Sequence, residues 1–279
     1  MTNVTGHNGV RLHVTTAGDP ANPAILLIHG WSQHSLSWKH QLSGLSDRFY
    51  LVAPDLRGHG ASDKPDAPEA YNNSIPWAGD IAAIINQMNL DRPLAVGWSM
   101  GGWVIADYIH EFGDAFICGL ALVGSSVTTG RYSPDGIAEK RDADVTAHGM
   151  LSDDQLENLA ATLKFIRACT AEPLSAEDFA TMVGFNMLVP PHIRAACRKR
   201  HEDYRPTMSK LTVPALVVWG SKERLALPPM VHETLDTIPG AEPLELTGLG
   251  HAPFFESPDR FNAALSRFAM TCFAQRDVA

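Results

Sequence analysis

Short apolar runs punctuate the first half of the chain. Ala24–Ile28, Tyr50–Ala53, Leu94–Trp98 and Gly119–Val123 carry almost no polar side chain, the pattern of strands covered on both faces of a parallel sheet. Pro214–Trp219 repeats it, and Glu242–Leu246 reads as the last strand. Near the start, Val4–Gly6 and Val10–Thr16 flank His7-Asn8-Gly9, and Asn-Gly is a strong hairpin signal. Between the runs the period becomes helical. Trp77, Ile81, Ile84, Ile85 and Met88 share one face, as do Val104, Ile105, Tyr108, Ile109 and Phe112. Ser257-Pro258-Asp259 reads as an N-cap with proline at the first helical position, before a stripe of Phe261, Leu265, Phe268 and Cys272. Strands alternating with helices predict an α/β fold, a mostly parallel sheet covered on both faces. Functional residues then belong at the C-terminal ends of strands.

Residues 131–210 break the alternation. Ser152-Asp-Asp-Gln155 reads as a capping box before Leu156, Leu159 and Leu163. Ser175-Ala-Glu-Asp178 starts a second helix with Phe179, Met182 and Val183; Pro190-Pro191 starts a third with Ile193, Ala196 and Cys197. The expected organisation is a core made of residues 1–130 and 211–279, with 131–210 inserted as a helical cap, or lid.

Charge and composition narrow the function. The net charge of −9 over 279 residues argues against nucleic acid as a partner. No apolar run approaches the roughly 18–20 residues that span a bilayer, so no membrane association is expected. The first residues lack a basic n-region and an apolar h-region, and the expected location is cytoplasmic. Cys118, Cys169, Cys197 and Cys272 form no CxxC pair. His110-Glu111 and His232-Glu233 lack the second histidine of a zinc-binding HExxH, and no GxGxxG follows a strand. No metal and no cofactor are expected.

Three residues stand out for chemistry. Gly97-Trp98-Ser99-Met100-Gly101-Gly102 follows a strand run and opens a helical one. A G-x-S-x-G in that context is a nucleophile elbow, a turn so tight that the positions flanking Ser99 at two residues' distance must be small. A serine hydroxyl needs an adjacent base, and an imidazole can take the proton and return it to a leaving group. Of twelve histidines, His251 follows the last strand. The third member, which orients the imidazole, should follow a strand between Ser99 and His251. Glu223, in Gly220-Ser-Lys-Glu223, is the carboxylate just beyond one such strand; Gly124-Ser-Ser-Val-Thr-Thr, after another, offers none, and Asp135 is the reserve.

A tetrahedral intermediate needs two donors at its oxyanion. The backbone amides of Met100 and of Trp31, in His29-Gly30-Trp31, are the candidates. The rings of Trp31 and Trp98 are the candidate substrate-binding walls. Asp55-Leu-Arg-Gly58-His-Gly60-Ala-Ser62 lacks the Lys-Ser/Thr ending of a phosphate loop and reads as a support, with Asp55 and His59 hydrogen-bonded inside it. Arg194, Arg198, Lys199, Arg200 and Arg205 outnumber Glu202 and Asp203 in the third inserted helix and just beyond it. Arg194 and Arg198 are therefore candidate docking residues for an acidic carrier protein.

Together, His29-Gly-Trp, Asp55-Leu-Arg-Gly-His-Gly-Ala-Ser, Gly97-Trp-Ser-Met-Gly-Gly, Trp219-Gly-Ser-Lys-Glu and Gly250-His-Ala-Pro-Phe-Phe-Glu-Ser-Pro resemble the α/β-hydrolase superfamily along essentially the whole chain. The resemblance implies eight strands, mostly parallel, with a helical cap after the sixth. Within the superfamily, HGW and GWSMGG look like the pimeloyl-[acyl-carrier protein] methyl ester esterases and related carboxylesterases. Cofactor-free haloperoxidases, lactone hydrolases and carbon–carbon bond hydrolases look similar too. Members with an aspartate nucleophile, the haloalkane dehalogenases and epoxide hydrolases, are disfavoured by Ser99. The family usually carries G-x-x-D-x-x-x-P where this chain has Glu223, and Pro228 lies one position late. The function expected is a serine esterase for small or medium carboxylic esters. A lactone or carbon–carbon hydrolase, or a ligand-binding receptor on the same fold, are the alternatives.

Overall fold

The computed structural model describes residues 2–134 and 148–277. One eight-stranded sheet runs in the order β1-β2-β4-β3-β5-β6-β7-β8. Its strands are β1 (Thr2–Thr5), β2 (Arg11–Ala17), β3 (Ala24–Ile28), β4 (Tyr50–Pro54), β5 (Leu94–Trp98), β6 (Gly119–Val123), β7 (Ala215–Gly220) and β8 (Glu242–Leu246). β2 pairs antiparallel with β1 and β4, and the remaining pairs are parallel. The apolar runs are central because a strand covered on both faces has no polar side to offer. Period two sorts them. Leu26 and Ile28 join one core cluster; Ile25 and Leu27 join the other.

Helices α2 (Ser74–Gln87) and α3 (Met100–Phe112) cover the first face. Helices α1 (Lys39–Gly44) and α10 (Pro258–Arg276) cover the second. The stripe Phe261, Leu265, Phe268 and Cys272 is buried, although Ser257 caps α10 without a side-chain hydrogen bond.

Between β6 and β7 the described residues form α4 (Gln155–Ala168), α5 (Ala176–Met187), α6 (Pro191–Arg198) and α7 (Arg205–Met208). Two helix starts follow the sequence: Ser175 accepts from Asp178 N, and Pro191 opens α6. The start of α4 differs. Asp154 is the cap, accepting from the amides of Leu156 and Glu157. Its buried face is Asn158, Thr162, Phe165 and Ile166, while Leu156 is 79% exposed. Of the leucine stripe expected to face inward, Leu156 and Leu159 therefore face outward, while Leu163 is half-buried. The two stems of the insertion pair at its base: Tyr204 N donates to Val127 O and Thr129 N to Glu202 O, both at 2.9 Å. Helix α8 (Pro228–Thr237) links β7 to β8, and α9 (Pro253–Glu256) precedes α10.

Candidate active site

Strands β5 and β6 end level, with Trp98 opposite Val123, and β7 runs two residues further, with Val218 opposite Val123. The chain turns from β5 straight into α3 through Ser99, at φ 53° and ψ −120°. Such a backbone costs a non-glycine residue about 1–3 kcal/mol and persists only where its surroundings hold it. Here Ser99 N donates to Val123 O at 2.8 Å, and Ser99 O accepts from Ser125 Oγ at 2.8 Å. A side chain on Gly97 would begin 2.5 Å from Gly102 N, and one on Gly101 2.3 Å from Ile28 O, so the elbow closes only on glycine. Met100 is the first residue of α3. Its amide has no carbonyl a turn earlier in the helix and carries the positive end of the helix dipole.

His251 lies in the loop after β8. Its Nδ1 is 2.7 Å from Glu223 Oε2, and both side chains are only 3% exposed. Glu223 sits in the turn after β7, and its second oxygen accepts from Leu225 N at 2.7 Å. An ionised carboxylate only accepts, so Nδ1 carries the proton and Nε2 is left as the basic nitrogen. Gly124, at φ +51°, lies under the pair. A side chain there would begin 2.8 Å from His251 Nδ1 and 3.0 Å from Glu223 Oε2. The glycine after β6 thus leaves the space that the Glu223–His251 pair fills. Asp135 lies outside the described residues.

Trp98 corrects an expectation. It is 1% exposed, its Nε1 donates to His251 O at 2.8 Å, and its ring packs against Phe254 and His251. Sealed beneath the histidine loop, it offers substrate no surface. Neighbouring residues at a strand end point to opposite sides, so adjacency to Ser99 takes the ring away from the site.

The loop after β3 lies against the nucleophile: a side chain on Gly30 would begin 3.3 Å from Ser99 Cβ. Trp31 follows, and the next amide, Ser32 N, donates to His59 Nε2 at 3.1 Å. His29 Nε2 accepts from Leu56 N at 3.0 Å, while its Nδ1 meets Gly30 O at 2.8 Å. Burial pushes the pKa of both rings down to about 3; they stay neutral and can accept from these amides. Below them, Asp55 accepts from Ser35 N and Ala61 N. Arg57 grips Asp80 through two bonds of 2.7 Å. The Asp55–Ser62 turn is thus a hydrogen-bonded scaffold for the candidate oxyanion loop.

The Trp31 ring is half-buried where core and insertion meet. It packs edge-on against Phe165 of α4, lies 5.6 Å from the Arg198 guanidinium, and donates from Nε1 to Arg194 O.

Arg194 does not belong to a docking surface. It is 1% exposed, and its guanidinium donates to Met150 O, Asn158 Oδ1 and Asn186 O inside the insertion. Its spacing explains this: three residues before the buried Cys197, it shares the inner face of α6. Arg200 is buried too, on Asp107 and Tyr204.

Sequence reasoning passed over Gly124, Ser125 and the bonding of Trp98. Gly124 carried the one signal, a glycine closing a strand; nothing marks Ser125. Among the described residues, no group of three His, Cys, Asp or Glu side chains could hold a metal ion. No helix among them is long and apolar enough to cross a membrane.

This architecture has relatives. An esterase from Rhodococcus sp. ECU1013 matches with a TM-score of 0.89 at 29% identity, over 97% of this chain and 98% of that one. The soluble epoxide hydrolase of Corynebacterium sp. (strain C12) is 26% identical over 270 residues, 86% of this chain and 89% of that protein. The AB hydrolase superfamily protein YisY of Bacillus subtilis (strain 168) is 25% identical over 257 residues, 88% of this chain and 91% of that protein. Residues 25–264 match the model of the alpha/beta hydrolase family, and the chain belongs to that family, a hydrolase on its fold.

Proposed function

We propose that this protein is a serine hydrolase that cleaves carboxylic esters of small to medium size through an acyl-enzyme. The observation that carries this reading is the 2.7 Å contact between His251 and Glu223, sealed from solvent, in a chain that also holds a strained Ser99 at the start of α3. His251 Nε2 takes the proton of Ser99 Oγ as the oxygen attacks the ester carbonyl. The amides of Met100 and Trp31 hold the developing oxyanion. His251 then protonates the leaving alcohol, and a water activated by the same nitrogen releases the acid. Glu223 keeps the imidazole in one tautomer and stabilises its charged form.

Similarity to an epoxide hydrolase raises a rival, and chemistry decides against it. A serine oxygen opening an epoxide would leave an ether, which an imidazole-activated water does not cleave. An acyl-serine is an ester, and the same water does cleave it. The similarity to an esterase supports the reading too.

Intact-mass labelling with a fluorophosphonate tests it, wild type beside Ser99→Ala. One adduct on wild type alone, together with a kcat at least ~10³-fold lower for Ser99→Ala on a short-chain ester panel, is the expected result. No adduct, or equal turnover, would overturn it.

A further inference from the structure

The loop carrying His251 is held from three directions besides Glu223. Trp98 Nε1 donates to His251 O at 2.8 Å from below. Ala252 N donates to Cys169 O at 2.8 Å, at the end of α4. The third hold is Glu256. Its Oε1 accepts from Gly250 N and its Oε2 from Ala171 N, each at 2.7 Å. One carboxylate thus ties the residue before His251 to the inserted segment. The backbones are so close that a side chain on Gly250 would begin 2.7 Å from Ala171 N.

Backbone amides converge on both oxygens of Glu256, and only a group that accepts at both ends satisfies them. A glutamine has the same length but turns an NH₂ toward one of the amides. Burial pushes the Glu256 carboxyl above its usual pKa, against the pull of the amides it accepts from.

We propose that Glu256 is a positioning residue for His251, and that through it the insertion sets the register of the histidine loop. The consequence for turnover rests on His251 acting as the base; the bridge itself does not. Loosening the bridge lets the loop drift while Glu223 still holds Nδ1, so the imidazole pivots about that bond. A small displacement at Nε2 then slows proton transfer from Ser99 more than it weakens substrate binding.

The test compares wild type, Glu256→Gln and the shorter Glu256→Asp, which keeps the charge but cannot span both amides. Expected for Glu256→Gln is a kcat about tenfold lower on the ester panel with KM within about twofold, and a smaller loss for Glu256→Asp. Hydrogen exchange should quicken together in peptides covering 248–252 and 169–173, and not in β5 or α3. Wild-type kcat in a folded Glu256→Gln, a rise in KM alone, or faster exchange spread over the sheet would each overturn the proposal. Should wild type show no Ser99-dependent turnover, the ester reading fails, and paired exchange in the two peptides still decides the bridge.

Discussion

The sheet and the insertion seal different residues inside. Around β3, β5 and β6 the sealed side chains are Ile25, Leu26, Leu27, Ile28, Val96 and Leu120, with the charged Arg57 beside them answered by the Asp80 carboxylate. In α4–α6 they include Asn158, Thr162, Asn186 and Arg194. Arg194 meets neutral oxygens, and burial lowers its pKa to about 10. A buried charge is tolerated when paired or richly hydrogen-bonded, and Arg57 and Arg194 use the two different solutions. The sheet is organised by apolar burial, with tight buried ion pairs on its covering helices, Arg57 on Asp80 of α2 and Arg200 on Asp107 of α3. The helices α4–α6 are organised by a cation that gathers backbone carbonyls from Met150, before α4, and Asn186, in α5.

Breaking the pair in the sheet should have the largest effect. Arg57→Ala leaves the Asp80 charge buried with the His7 amide and no cation, and should cost about 3–5 kcal/mol in urea unfolding. A loss below ~1 kcal/mol would mean that the pair behaves as a surface one. Acid comes next. His29 and His59 have folded pKa values near 3, pushed down by burial, against about 6.5 unfolded. The unfolded chain therefore binds protons first. Their contribution is fully present above pH ~6.5 and is lost as pH falls toward 3, by up to about 1.4 kcal/mol per unit for each ring. Urea midpoints at pH 7, 6 and 5 check the sign, and His59→Asn should flatten the slope. Arg194→Met removes a buried charge while unpairing three acceptors. It should cost about 1–3 kcal/mol, less than Arg57→Ala; the reverse order would erase the distinction between the regions. Smallest is Leu156→Gln, on the outward face of α4, expected within ~0.5 kcal/mol of wild type. A loss of 2 kcal/mol or more would put that leucine back in a core.

The same contrast explains what the sequence could reveal. β3, β5 and β6 were legible because continuous apolar runs have few other uses, and α2, α3 and α10 because their stripes face such a sheet. The residues at the site were legible where chemistry is local: Gly97 and Gly101 around Ser99, and His251 after the last strand. Glu223 was reached by chain order, and the structure places it on His251. In the insertion the starts at Ser175 and Pro191 were local signals and held. The faces were not local. Leucines at helical spacing point to whichever side has a neighbour, and on α4 that side belongs to Asn158 and Thr162. Arg194 read as solvated because charge is seldom enclosed, although its spacing to Cys197 already put it on the buried side. Trp98 failed for a geometric reason, since a neighbour in sequence is an opposite in a strand.

The pairing of Val127 and Thr129 with Tyr204 and Glu202 has a consequence for how such a protein can vary. It closes the insertion at its root, so what lies beyond is a loop whose ends are already joined. For a flexible closed loop the entropic cost grows only with the logarithm of length, by about 0.6 kcal/mol per doubling. Residues added or removed above that root leave the spacing of β6 and β7 untouched. Away from the Cys169 and Ala171 contacts to the histidine loop, the insertion can therefore change in length without moving the strands that flank its root.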